Sequence, residues 1–143
     1  MFVRDHNRLC WGVDLVEEHL LTSCGLPCTP PKAPRPLRAS AGIYVSAEAS
    51  GTVGDDAVLR EYVAAGLGAK HGHPGDEDSV PRFSYFTPMV TAGDAVLGPA
   101  DAADFPTWLC GFMLHAPSAD KAIALAKRVN DDVVARVAID AAP

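Results

Sequence analysis

The junction at Ser118, between a strongly apolar segment and a long amphipathic pattern, is the feature that most constrains the fold of this chain. Residues 107–116 have the sequence TWLCGFMLHA, which is typical of a buried strand, and Gly111 is predicted to form a bulge in it. Ser118 is a favoured N-cap residue for a helix that is predicted to run to about Asp132. The apolar side chains of this helix recur at helical spacing: Ala122, Ile123, Leu125, Ala126, Val129 and Val133. This combination indicates a sheet layer with a helix packed on it.

Other patterns predict the remaining elements. Helices are predicted at 13–24 and at 55–65. Gly25 ends the first helix, because glycine readily adopts the left-handed conformation of a helix end, and Asp55 or Asp56 caps the second. Further strands are predicted at 2–6, 43–45, 82–90, 94–98 and 133–140. The order of these elements predicts an α+β fold, with an antiparallel or mixed sheet covered by helices on one side.

The length and the prolines predict how the chain is organised. A chain of 143 residues favours a single domain that spans residues 1–143. Residues 27–38 contain five of the twelve prolines, so this segment is predicted to be a stiff connector. It separates an N-terminal strand–helix piece from the main α+β body.

Charge and hydropathy exclude several classes of partner. The net charge is -6 and the pI is about 5.2, whereas proteins that neutralise nucleic-acid phosphates or anionic membranes need a basic surface. The sequence contains no run of about 18 apolar residues and no signal-peptide pattern. We therefore expect a cytoplasmic protein with reduced cysteines, and neither nucleic acid nor a membrane as a partner.

A polar cluster, Asp5, His6, Asn7 and Arg8, precedes the first predicted helix. The residues DHNR followed by GVDLVEEHLLTSCGLPC resemble the end of the ATP-grasp fold, as found in biotin carboxylases and carboxylate–amine ligases. Those enzymes carry an acid-x-Asn-x-Arg strand, then a helix that ends in a glycine turn. Residues 38–53 and 90–137 resemble the C-terminal subdomain of the same ligases, with a Gly-Asp turn, a strand, an alanine-rich helix and a last strand. The likeness covers most of the chain.

The resemblance implies roles for the cluster. In ATP-grasp enzymes the acid and the Asn bind the Mg²⁺ ions that bridge the nucleotide phosphates, and the Arg holds the acyl phosphate. The matching positions here are Asp5 and Asn7 for the metal and Arg8 for the phosphate. The family usually has one residue between Asn and Arg, whereas this chain has none. On a strand, Asn7 and Arg8 would therefore face opposite ways.

The sequence lacks the nucleotide-binding motifs that come before the metal strand in ATP-grasp enzymes. It contains neither a P-loop nor a G-x-G-x-x-G motif. The resemblance therefore implies a truncated ligase domain that acts as a subunit or a repurposed module in a biosynthetic pathway. We expect no cofactor for the isolated chain, with Mg²⁺ and ATP bound only if a partner completes the site. The expected partner is a second copy or an ATP-grasp N-terminal half.

The alternative hypothesis is a small cofactor-independent enzyme of specialised metabolism, such as a cyclase, isomerase or dehydratase. Its acid–base groups would be His6 beside Asp5, or His71 and His73, which form an H-x-H motif close to residues 76–78, Asp-Glu-Asp. The plainer interpretation of the H-x-H motif is an exposed polar loop. The aromatic side chains are predicted to belong to the core, although a cluster of them could also line a small-molecule pocket.

Overall fold

The computed structural model describes residues 2–28, 30, 35–68 and 82–141. In chain order, the elements are α1 (Phe2–Trp11), α2 (Leu15–Ser23), β1 (Ala39–Ser46), β2 (Gly51–Asp55), α3 (Ala57–Gly68), β3 (Arg82–Pro88), β4 (Ala95–Val96), β5 (Trp108–Ala116), α4 (Ala119–Arg136) and β6 (Ala138–Ala141). The predicted connector at 27–38 is described only in part, and it stays a prediction.

Within the described ranges, six strands form two antiparallel sheets of three strands each. The strand order is β1-β5-β3 in the first sheet and β4-β2-β6 in the second. The predicted α+β class is therefore confirmed. The predicted bulge at Gly111 is wrong, because Gly111 pairs in register with Tyr44 on one side and Thr87 on the other. The register of the first sheet shifts instead at Val45/Ser46 and at Phe83/Tyr85.

The inner face of the first sheet carries the core. Cys110, Phe112 and Leu114 alternate along β5 with residues of the opposite face, and all three are fully buried. The helices α3 and α4 cover this face. Five residues of the predicted α4 stripe are buried: Ala122, Leu125, Ala126, Val129 and Val133. The sixth, Ile123, is exposed and lies outside the stripe.

The helix α4 begins as predicted but ends later. The Ser118 side chain accepts a hydrogen bond from Lys121 N, which confirms the predicted N-cap. The helix continues to Arg136, so only residues 138–140 of the strand predicted at 133–140 are β structure. Val133 explains the difference, since it extends the buried helical stripe by a further turn.

Residues 2–23 form two helices rather than a strand and a helix. The strand predicted at 2–6 is wrong, because these residues belong to α1. Val3, His6 and Cys10 recur at the spacing of one helical face, and Cys10 is buried against the sheet. The helix α2 matches its prediction, with Asp14 as N-cap and Gly25, at φ +74°, just past its end.

The helix α1 packs on the outer face of the first sheet. It contacts β1, where His6 bonds to Ser40, and it borders a cavity whose floor includes Gly42 and Met113. Because Ser40 and Gly42 alternate with the inward-facing Ala41 and Ile43, they lie on the face opposite α4. The sheet is thus covered on both faces, and the predicted one-sided cover is wrong.

None of the helices in the described ranges combines the length and the apolar character that a membrane crossing requires.

The glycine at the start of β2 is needed for close approach between strands. A Cβ atom at Gly51 would lie 2.0 Å from the carbonyl oxygen of Asp140 and 2.9 Å from Cγ2 of Ile139, both in β6. We expect Gly51→Ala to lower the free energy of unfolding by at least about 2 kcal/mol, because β6 must move away. Urea denaturation measures this, with the exposed neighbour Thr52→Ala as control. Equal stability of the two variants would contradict the packing.

Candidate functional site

Two cavities lie along the flanks of α1, where this helix crosses the outer face of the first sheet. Residues three and four apart on a helix share a flank, so the polar cluster of α1 is divided between the two cavities. Asp5 and Arg8 are on one flank, and His6 and Asn7 are on the other. The two cavities are therefore separate sites, and each must be judged by its own residues.

The first cavity, which we call the Asp5 cleft, has a volume of about 370 Å³. Three elements contribute its lining: Asp5, Arg8 and Leu9 from α1, Ser84 and Tyr85 from β3, and His115 from β5. Ser84 and Tyr85 occur where β3 carries its register shift, with Tyr85 paired to Met113 of β5. Five of the six lining side chains can donate or accept a proton or a hydrogen bond.

Burial and charge keep the Tyr85 phenol protonated. Burial, followed by the neighbouring Tyr44 phenol and the Asp5 carboxylate, raises the pKa of Tyr85 to about 12. Across the same cleft, His115 Nδ1 lies 3.4 Å from the hydroxyl oxygen of Ser84. A phenol that stays protonated and an imidazole held by a hydroxyl are a suitable donor and acceptor for proton transfer.

Arg8 brings a positive charge to the cleft. Among the described residues, its nearest carboxylate is Asp14 at 4.0 Å, which already accepts two hydrogen bonds from Arg4, at 3.0 and 2.8 Å. The Arg4 bonds hold the pKa of the Asp14 carboxyl well below its usual range. The Arg8 side chain is two-thirds exposed. Its guanidinium can therefore turn to an anion in the cleft.

The second cavity, which we call the His6 cavity, has a volume of about 210 Å³. Its lining consists of Val3, His6, Asn7, Gly42 and Met113. The Asn7 amide donates to the carbonyl oxygen of Val3 at 2.8 Å. Nδ1 of His6 is hydrogen-bonded to Oγ of Ser40. This cavity is smaller and more apolar in its side chains than the Asp5 cleft.

The structure brings some of the predicted site residues together and separates others. Asp5 and Arg8 share a cleft, whereas Asp5 and Asn7, the metal ligands implied by the ATP-grasp resemblance, line different cavities. His6 contacts Ser40 and Cys10 as its side-chain partners, rather than the adjacent carboxylate. Among the described residues, no group of three or more His, Cys, Asp or Glu side chains could hold a metal ion. His71 and His73 lie outside the described residues.

Four residues that line the Asp5 cleft were not predicted as site residues: Leu9, Ser84, Tyr85 and His115. The sequence predicted Tyr85 only as one of the aromatic side chains of the core. A signal was available, because His115 alternates with the inward-facing Leu114 and Ala116 and so must point to the outer face. The helix α1 that covers this face was not predicted, because residues 2–6 were predicted to form a strand.

Comparisons of the chain with known protein families, with curated proteins and with solved structures found no match.

The two tyrosines with raised pKa values predict a loss of stability in alkali. Burial and the bond to Asp132 raise the pKa of Tyr62 to about 12, the same value as for Tyr85. Below the ordinary pKa of 10, both phenols are protonated in the folded and the unfolded chain. As the pH rises towards 12, the unfolded chain ionises first, so the free energy of unfolding falls. Urea denaturation between about pH 9 and about pH 12 should show this fall, and Tyr85→Phe should reduce it.

If the free energy of unfolding falls equally in Tyr85→Phe and in the parent protein, the raised pKa of Tyr85 is contradicted. The surface variant Thr52→Ala, which leaves both phenols in place, is the control for general effects of alkali.

Proposed function

We propose that the protein is a small cofactor-independent enzyme that transfers a proton on a small anionic carbonyl compound bound in the Asp5 cleft. The observation that carries this proposal is the convergence of Asp5, Arg8, Ser84, Tyr85 and His115 on one cavity of about 370 Å³. This volume is at the lower end of the range for small-molecule sites. A compound with a carbonyl group and one carboxylate, such as a 2-oxo acid, suits its size and its charges.

The side chains of the cleft fit complementary roles in such a reaction. The Arg8 guanidinium binds the carboxylate, a planar pairing that fixes the orientation of the substrate. His115 takes the proton next to the carbonyl group, and Ser84 holds the imidazole through Nδ1. The Tyr85 hydroxyl, which is buried in this structure, turns towards the cleft and donates to the carbonyl oxygen as negative charge develops there, since its phenol is protonated at neutral pH. Asp5 stabilises the imidazolium that forms.

The test is proton exchange in deuterated water. Small 2-oxo acids and 1,3-dicarbonyl compounds are incubated with the protein, and the loss of the signal of the hydrogen next to the carbonyl group is followed by proton NMR. The proposal expects at least one compound to exchange faster than in buffer, with a rate that saturates as its concentration rises. Exchange no faster than in buffer across the whole panel would overturn it.

A second candidate, the truncated ATP-grasp domain, is favoured by the surface of α2. Each of the nine residues of α2, all of them described, is at least partly exposed, and among the described elements the main contact of this helix is with α1. Leu20 is 59% exposed and Val16 is 46% exposed. Exposed apolar side chains on one helix are expected in the isolated chain if a second copy or an ATP-grasp N-terminal half normally covers them.

Native mass spectrometry tests the second candidate. It expects a homodimer, or a complex with a second chain after incubation with a cell extract, and calorimetry on the isolated protein should show no binding of Mg·ATP tighter than the millimolar range. The double variant Val16→Ser/Leu20→Ser should then become monomeric. A strict monomer at high concentration with no captured chain would reject this candidate, and would leave the acid–base proposal unaffected.

A further inference from the structure

The His6 cavity has a polar cluster at its edge that the proposed proton transfer does not use. Oγ of Ser40 is 2.5 Å from Nδ1 of His6. Sγ of Cys10 lies 3.5 Å from the same hydroxyl oxygen and 3.8 Å from the same imidazole nitrogen. A hydroxyl, an imidazole and a thiol thus meet between α1 and β1.

The fold explains why these three side chains meet. His6 and Cys10 are four residues apart on α1, so they lie one turn apart on the flank that faces β1. Ser40 is on the outer face of β1, two residues before Gly42, which forms part of the cavity floor. Cys10 is only 3% exposed, whereas His6 is exposed and Ser40 is half-buried. The hydroxyl and the imidazole are therefore open to a ligand, and the thiol is not.

We infer that Ser40 is a nucleophile, that His6 is its general base, and that the His6 cavity takes the short acyl chain of an ester. A serine hydroxyl is a weak nucleophile unless an adjacent base accepts its proton, and the short bond between Ser40 and His6 is the arrangement that this activation requires. The site is independent of the Asp5 cleft, from which α1 separates it.

The reaction has two steps. Oγ of Ser40 attacks the acyl carbon while its proton passes to Nδ1 of His6; the bond between that carbon and the alcohol oxygen breaks, and the alcohol leaves with the proton from His6. Water then attacks the acyl-serine with His6 again as the base, which releases the carboxylic acid and restores the hydroxyl. The only co-reactant is water, and no electrons are transferred.

The lining of the cavity fits an acyl group. Val3 and Met113 offer apolar side chains, and the lack of a side chain at Gly42 leaves space beside Ser40. The Asn7 amide uses one N–H for the carbonyl oxygen of Val3 and has a second N–H. That second N–H can donate to the carbonyl oxygen of the ester, where negative charge develops during the attack.

The test uses p-nitrophenyl butyrate as substrate and a fluorophosphonate as a label for activated serines. The parent protein should release nitrophenol faster than buffer, and peptide mass spectrometry should locate the label on Ser40. Ser40→Ala should reduce the rate by roughly 10²- to 10⁴-fold, as should His6→Gln, which can still hydrogen-bond to Ser40 but cannot accept its proton. Ser46→Ala is the matched control, because this serine is also half-buried but lies at the opposite end of the same strand, six residues from Ser40, and should keep full activity.

Two further variants separate catalysis from packing. Cys10→Ala should keep most of the activity, because the thiol is buried and does not reach the ester. Met113→Trp should slow the butyrate ester more than the acetate ester, because a larger side chain fills the cavity. Far-UV circular dichroism and the thermal midpoint confirm the fold of each variant. Hydrolysis no faster than in buffer, equal rates for Ser40→Ala and the parent protein, or a label on a residue other than Ser40 would each overturn the inference.

Discussion

Replacing Phe112 by alanine is expected to lower the free energy of unfolding by about 3–5 kcal/mol. Phe112 is completely buried at the centre of β5, the middle strand of the first sheet. Its ring stacks on Phe86 at a centroid distance of 5.9 Å and meets the edge of Phe83 at 5.8 Å. These two rings in turn pack on Tyr62 of α3. Alanine would leave a cavity that neither the sheet nor the helices can close, since all of these elements are fixed by other contacts.

Urea denaturation at neutral pH measures this loss. Ile123→Ala is the control, because Ile123 is an aliphatic residue of α4 that is 62% exposed, and its truncation should change the free energy by no more than about 0.5 kcal/mol. A loss of less than about 1 kcal/mol for Phe112→Ala would mean that the inner face of the sheet is not packed as described.

The second large effect is expected at the Asp5 cleft. His115→Gln should slow the exchange of the carbonyl-adjacent hydrogen by roughly 10²- to 10⁴-fold, because glutamine keeps a hydrogen-bonding group near Ser84 but cannot accept a proton. Arg8→Ala should chiefly raise KM, since it removes the group that binds the carboxylate. The thermal midpoint of Arg8→Ala should stay close to that of the parent protein, because its guanidinium is largely exposed and comes no closer than 4.0 Å to the Asp14 carboxylate.

His6→Gln is the control for these variants. It changes a histidine on the opposite flank of the same helix and should leave the exchange reaction intact. If His115→Gln retained the full exchange rate, or if His6→Gln abolished it, the proton transfer would have to be assigned to other residues.

The elements that were predicted correctly from the sequence are those that bury one apolar face, because that face produces a regular pattern of apolar residues. The helix α4 was predicted from its N-cap to the last part of its stripe, because Ser118 satisfies free backbone N–H groups and the apolar residues repeat at helical spacing. The strands β3 and β5 were likewise predicted from apolar composition. The short strand β2 was missed, since its burial alternates over only five residues that include two glycines.

The strand predicted at 2–6 was wrong although the local pattern of α1 is amphipathic, because only five of its ten residues, those at 4–8, are polar. The face that packs on the sheet is fixed by tertiary contacts such as the burial of Cys10 and the bond between His6 and Ser40. The candidate site depends on this helix. Sequence reasoning found Asp5 and Arg8 but could not join them to Tyr85 and His115, which are about eighty or more positions further along the chain.

Chemical-shift mapping of a bound 2-oxo acid tests the central claim most directly, namely that the cleft between α1 and the outer face of the first sheet is the functional site. Backbone amide and histidine resonances of the isotope-labelled protein would be followed as the acid from the exchange panel is added. We predict saturable shifts at Asp5, Arg8, Ser84, Tyr85 and His115, with little change at Ser40 or Gly42, and saturation only at a much higher concentration in Arg8→Ala. Saturable shifts that leave His115 and Tyr85 unchanged, or that saturate at the same concentration in Arg8→Ala as in the parent protein, would contradict the claim.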